Sequence, residues 1–198
     1  MIVGVVLAAG RSRRMGAPKP LLAVDEQENF LEHVISALRH GGCNDVWVVV
    51  GPEHDTAARE IGEAVWDAGA HRLINPLADT QQVDSLRVAI RSLPPQAEAL
   101  IETPVDFPRI QAATVRKLID AFEHSHAPVV VPTYQGRHGH PTLFARSVWP
   151  ELLADPLPEG ARTVVHAHRG DLLEVRVEDA GVLLDVDTPE DYTRLMQE

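Results

Sequence analysis

The chain has 198 residues, with 18 Lys and Arg against 29 Asp and Glu, a formal net charge of −11. Domains usually run ~100–200 residues, so one domain over 1–198 is expected. The acidic balance argues against a nucleic-acid or membrane-surface binder, and Cys43 alone builds neither a disulfide nor a thiolate metal site. The apolar run Ile2 to Ala8 comes before Arg11, Arg13 and Arg14, the reverse of an export signal, so a soluble, cytoplasmic protein is expected.

Along the chain, Ile2 to Ala8 is a continuous β-branched run, as in a strand buried on both faces. Phe30 to Arg39 has helical apolar spacing and stops at Gly41 and Gly42. Asp45 to Val50 reads as a second strand and Glu53 to Ala68 as a helix. His71 to Asn75 follows as a strand, Val83 to Leu93 as a helix, Ala97 to Thr103 as a strand and Ala112 to Phe122 as a helix. Four strand–helix repeats predict an open, mostly parallel sheet covered on both faces, a Rossmann-like three-layer α/β/α sandwich. Val129 to Thr133 and Pro141 to Ala145 lie close enough to pair antiparallel, which makes the sheet mixed. Leu172 to Val177 and Val182 to Val186 return the chain to the sheet, and a last helix starts at Pro189.

Sites in such sheets lie at the carboxyl ends of the strands. The first such loop contains Arg11, Arg13, Arg14 and Lys19 within nine residues and no acid. Gly10 and Gly16 let the backbone approach a ligand closely, and Ser12 adds a hydroxyl. Arg forks clamp phosphate oxygens and Lys adds a point charge, so a polyphosphate suits this loop; a solvated basic turn is the bland alternative. The spacing fits neither a Walker A loop nor Gly-x-Gly-x-x-Gly.

The run Leu7-Ala-Ala-Gly-Arg-Ser-Arg-Arg-Met-Gly-Ala-Pro-Lys-Pro-Leu-Leu22 resembles the signature loop of the GT-A-type (MobA-like) nucleotidyltransferases, above all the molybdenum cofactor cytidylyltransferase branch. The resemblance implies that Leu7, Ala8, Ala9, Gly10, Ser12, Arg14, Met15, Gly16 and Lys19 wrap a nucleoside triphosphate, with Arg14 and Lys19 on its phosphates. Asn75 and Ser85 are the implied base and ribose contacts, although the family's Gly-Met before that serine is Gln82-Val83 here.

Nucleotidyl transfer needs charge neutralisation on the triphosphate, usually by Mg²⁺ on one or two carboxylates. Asp106, in Thr103-Pro-Val-Asp-Phe-Pro108, resembles the family's metal-binding Asp-x-Pro, with Phe107 in place of the common Gln. Asp185 and Asp187 resemble the family's Asp-x-Asp-Thr-Pro-Glu-Asp ending. They alternate with Val186 and so share one side of an extended segment. Thr188, Pro189 and Asp191 are explained as a helix start.

On the acceptor side, Tyr134 to Pro141 and Pro158 to Arg162 resemble the cytidylyltransferase acceptor loops, which implies contacts from Gly139, His140 and Arg162. The catalytic residues expected are therefore Arg14, Lys19 and Asp106. The reaction implied is transfer of CMP from CTP to a molybdopterin-type acceptor, with a molybdoenzyme or maturation partner downstream. Transfer from GTP, transfer to a sugar phosphate or phospholactate, and nucleotide binding without turnover stay open. The pairs His124/His126, His138/His140 and His166/His168 carry no further ligand at zinc-site spacing. Cys43 reads as a buried helix-end residue, and Trp47, Trp66 and Trp149 as packing.

Overall fold

The computed structural model describes residues 1–10, 12, 14–52, 56–77 and 81–197. Arg11 and Arg13, and the expected helix start at Glu53, lie outside the described residues.

Eight strands form one sheet among the described residues: β1 (Ile2–Ala8), β2 (Asp45–Val50), β3 (His71–Ile74), β4 (Ala99–Pro104), β5 (Val129–Tyr134), β6 (Arg137–His138), β7 (Thr142–Ala145) and β8 (Leu173–Arg176). Their order is β3-β2-β1-β4-β7-β5-β6, with β8 also on β5. The first four strands are parallel, with Leu7 opposite Pro104 and Val49. β7 inserts between β4 and β5, antiparallel to both, whereas β8 runs parallel to β5. The expected pairing of the segments around 129 and 142 holds, and the mixed sheet follows from it.

The helices are α1 (Phe30–Gly41), α2 (Thr56–Asp67), α3 (Gln82–Ser92), α4 (Ala112–Ser125), α5 (Trp149–Leu153), α6 (Ala161–Ala167) and α7 (Pro189–Leu195). Strand alternation sorts them into two layers. Ile2, Val6 and Ala8 of β1 pack with Val34 and Leu38 of α1, Ile61 and Val65 of α2, Leu118 of α4 and Leu195 of α7. Val3, Val5 and Leu7 face the other way, onto Leu86 and Ile90 of α3, Leu152 of α5 and Val164 of α6. Each face of the sheet therefore has its own core, and the expected α/β/α sandwich is present.

Two expectations are corrected. Val182 to Val186 is no strand: Ala180–Leu183 is a 3-10 turn. The buried Asp179 carboxylate accepts the Gly181 amide at 2.9 Å, the Gln111 amide at 3.0 Å and the Thr114 hydroxyl at 2.7 Å. That local bonding outcompetes a sheet ladder. Trp66 is not packing either, being 82% exposed. Ile61 and Val65 hold the inward stripe of α2, and the next position rotates out to solvent. Trp149 is buried and Cys43 lies at the end of α1 in the core, as expected. Burial pushes the Cys43 thiol up to about 12, which leaves it inert as a nucleophile.

Candidate active site

The carboxyl ends of β1 and β4 lie side by side, and the Val105 amide donates to the Leu7 carbonyl at 3.1 Å. That register brings the basic loop next to Asp106. The loop closes on itself: Ser12 takes a left-handed backbone, φ 48°, and its hydroxyl accepts the Lys19 amide at 3.0 Å. Lys19 then enters a short 3-10 turn, Lys19–Leu21, and is buried.

The third wall comes from the far end of the chain. The Val186 amide donates to the Asp106 carbonyl at 2.9 Å, and Val186 is sunk in the core. Its neighbours Asp185 and Asp187 are thereby turned into the cleft, the alternation the sequence implied. Thr188, Pro189 and Asp191 form the expected capping box of α7. That box also grips the cleft, since the Asp187 amide donates to Asp191 Oδ2 at 3.2 Å.

A cleft of about 450 Å³ opens between these segments. Leu7, Ala9, Gly10, Ser12, Arg14, Lys19, Ser85, Asp106, His140, Asp185 and Asp187 all line it. Ala8 and Gly16 line an adjoining cavity of about 240 Å³, on the α2 side of the loop. Met15 packs against the core instead. Asn75 lies beneath the wall, 1% exposed, with its side-chain amide donating to Ser85 Oγ at 3.1 Å. It positions Ser85 rather than facing the cleft.

At the cleft floor the Lys19 ammonium bridges two carboxylates, 2.6 Å from Asp187 Oδ1 and 3.4 Å from Asp106 Oδ2. The Arg14 guanidinium holds Asp187 Oδ2 at 2.9 Å. Hydrogen bonding from Lys19, with the charges of Lys19 and Arg14, keeps the Asp187 carboxyl below its ordinary value. Asp106 is shifted the opposite way: burial raises it, the Lys19 charge opposes, and the Asp187 charge adds to the rise. Its Oδ1 is buried with no hydrogen-bond partner. An unpaired buried carboxylate oxygen is costly and suits a cation, and hard oxygen donors suit Mg²⁺ or Mn²⁺. Asp106 and Asp187 thus fit a divalent ion that takes its remaining ligands from phosphate and water. Among the described residues no three acidic, His or Cys side chains gather into a metal cluster, and Asp185 stands apart as an exposed carboxylate on the rim.

The acceptor-side residues fall around a second cavity of about 410 Å³, lined by Arg162 and His140 and sharing Leu7, Gln81 and Gln82 with the first. Gly139 shapes it indirectly. A β-carbon there would lie 2.2 Å from the Val182 carbonyl oxygen, so only glycine allows this approach. The His140 amide donates to that same carbonyl at 2.9 Å. Phe107, where the family has Gln, packs its ring against His140 at 4.6 Å and lines the cleft. Val83 is buried, and its β-carbon would be 3.7 Å from a side chain at Gly160, so this departure joins α3 to the acceptor loop. Of the other histidines in the His-x-His pairs, three are spent on surface carboxylates, His138 on Glu174, His166 on Glu159, and His168 on Glu151 and Asp171, while His124 meets the Asp120 carbonyl and His126 packs on Phe122.

Sequence reasoning missed Glu102, Gln81 and Pro104 as lining residues. Only Glu102 carried a signal, as an acid inside the apolar run of β4.

A basic, glycine-containing loop facing carboxylates across the parallel half of a mixed sheet gives this α/β protein a cleft whose chemistry suits a polyphosphate and a cation. Residues 4–172 match the MobA-like NTP transferase domain, and the chain belongs to that family of nucleotidyltransferases. It is 25% identical to the molybdenum cofactor cytidylyltransferase of Escherichia coli (strain K12), over 95% of this chain and 92% of that protein. It is 32% identical to the bifunctional protein GlmU of Rhodopseudomonas palustris over 145 residues, 73% of this chain. The chain spans about a third of that relative, 31% of its length. Among solved structures, Rv0371c of Mycobacterium tuberculosis H37Rv in complex with manganese is 31% identical and superposes with a TM-score of 0.81, covering 100% of this chain and 98% of that one.

Proposed function

We propose that this nucleotidyltransferase moves CMP from CTP to the phosphate of a molybdopterin-type acceptor and releases pyrophosphate, using Mg²⁺. The observation that carries the reading is the Lys19 ammonium held between Asp106 and Asp187 at the mouth of the β1 loop. Here a cation and two carboxylates are preassembled where a triphosphate would lie.

Each residue has a task that follows from its chemistry. Arg14 and Lys19 hold the β- and γ-phosphates and stabilise the departing pyrophosphate. Asp106 and Asp187 hold the divalent ion, which when bound neutralises phosphate charge. Asp185 on the rim is placed for a water of that ion. Leu7, Ala8, Ala9, Gly10, Ser12 and Gly16 of the loop and the buried Ser85 fix the nucleoside. On the other side, Gly139 and His140 shape the acceptor cavity, and Arg162 supplies its cation. A phosphate monoester has a second pKa of ~6, so the acceptor is an anionic nucleophile at neutral pH and needs no general base. What the protein supplies is alignment across two joined cavities and electrostatic stabilisation of the α-phosphate.

The cytidylyl choice is supported by Ala8-Ala9-Gly10 in the loop. A pyrophosphate-release assay with Mg²⁺ and molybdopterin, run in parallel with CTP, GTP, ATP and UTP, tests it. Release above background with CTP alone is the expected result. A GTP preference would replace the nucleotide, and release without any acceptor would remove the transfer reading.

A further inference from the structure

Glu102 has no part in the reaction proposed above, yet it lies in the middle of β4 between the fully buried Ile101 and Thr103. Its side chain is 6% exposed. It points to the same face as Leu100, toward α3 and α6, and among the described residues no hydrogen bond reaches its carboxyl. A buried acid in an apolar strand is costly unless something binds it. Glu102 opens onto the second cavity. There the Nδ1 of His140, itself buried without a hydrogen-bond partner, stands 3.6 Å from Glu102 Oε2, too far for a hydrogen bond. Two polar groups therefore face one cavity with their bonding capacity unspent, and the cavity joins the triphosphate cleft through Gln81, Gln82 and Leu7.

We propose that Glu102, with His140 beside it, determines acceptor specificity by hydrogen-bonding an uncharged polar group on the acceptor's body. This rests on the transfer reaction proposed above and narrows the acceptor to a phosphate ester whose body is polar but uncharged at that depth. The electrostatics agree. Burial, with the charge of Asp106, pushes the Glu102 carboxyl up to about 8, so at neutral pH it offers one donor and one acceptor. Burial holds His140 down to about 4, with the Glu102 backbone opposing and the Arg162 charge reinforcing, so its ring is neutral. A carboxylate pressed against Glu102 and His140 would meet two neutral groups, Arg162 on the same lining being left for the acceptor's phosphate.

The test is steady-state pyrophosphate release with Mg²⁺ and CTP, using molybdopterin, glucose 1-phosphate and phospholactate as three separate acceptors. Wild type is compared with Glu102→Gln and Glu102→Leu. Glu102→Leu should raise the acceptor KM at least about tenfold and leave the CTP KM within about twofold, while Glu102→Gln stays within about threefold of wild type. Equal rises in both KM values, or a loss in kcat alone, would make Glu102 a structural residue and overturn the proposal. Should Glu102→Leu fail to fold, His140→Ala carries the same expectation for the acceptor KM. Turnover of glucose 1-phosphate without molybdopterin would overturn the pterin reading, leaving the Glu102 proposal to stand or fall on its acceptor KM. A preference for phospholactate would overturn both the pterin reading and the Glu102 proposal, as would release with none of the three.

Discussion

Lys19 is a salt-bridge partner in the fold and, in the proposed reaction, a phosphate ligand. In the free protein its ammonium satisfies Asp106 and Asp187, which could not otherwise stay charged so close to one another. In the proposed reaction a triphosphate and a cation would give the carboxylates a new partner and free Lys19 for the phosphates. Lys19→Ala should therefore weaken CTP binding at least about tenfold and CMP binding much less, measured by calorimetry. Equal losses would mean that Lys19 does not reach the outer phosphates. Asp106→Asn should lower kcat by about 10²–10³ at saturating CTP, since metal-assisted charge stabilisation is worth several kcal/mol. Activity near wild type in that variant would remove Asp106 from the metal site.

Glu102 also makes a prediction about stability. Its folded value of about 8 lies above the ordinary 4.5, so the folded chain keeps a proton that the unfolded chain gives up. Stability is therefore lost as pH rises from about 4.5 to about 8. Glu102→Gln should flatten that decline in Tm, measured from pH 5 to 8.5. An unchanged slope would mean that Glu102 is ionised in the fold. Neither group was equally legible in the sequence. Lys19 stood in a sixteen-residue pattern, whereas Glu102 was a single acid whose meaning depends on β7 and α6 packing over it.

At the level of elements, the helix starts couple stability to chemistry. Thr188 and Asp191 cap α7, and Asp191 Oδ2 also accepts the amide of Asp187. Thr188→Ala should cost about 1 kcal/mol in denaturant unfolding and lower turnover several-fold by loosening Asp187. A variant that loses stability but no activity would show that Val186 alone holds the segment. This cap was readable because its signals are local. The fate of residues 182–186 was not, because an apolar run reads alike as a strand or as a buried turn. What decided it was Asp179, whose side chain binds the start of α4 from across the fold. The same limit applied to Asn75, whose place under Ser85 depends on how β3 and α3 meet.

Across the whole molecule, the cleft joins the first loop, the end of β4 and the segment before α7, so ligand binding ties together parts distant in sequence. CTP with Mg²⁺ at about 100 times Kd should add about 2.7 kcal/mol of stability, a Tm rise of roughly 5–11 °C for a chain of this size. At the same CTP concentration the rise should fall by about half or more in Lys19→Ala, and its full survival there would place the nucleotide elsewhere. The layered architecture was legible because strand–helix alternation leaves few ways to cover a parallel sheet. The insertion of β7 between β4 and β5 was beyond local pattern, since it depends on which open edge the hairpin meets.

The hydrogen bond from Val186 to the backbone of Asp106 has a consequence for the order in which a ribosome makes this protein. Lys19 emerges first, Asp106 follows, and Asp187 comes last, 168 positions after the lysine it pairs with. Until that final acid arrives the nascent chain has a sheet and a basic loop but no finished cleft. The nucleotide site proposed above is therefore finished only when the segment before α7 packs against the end of β4.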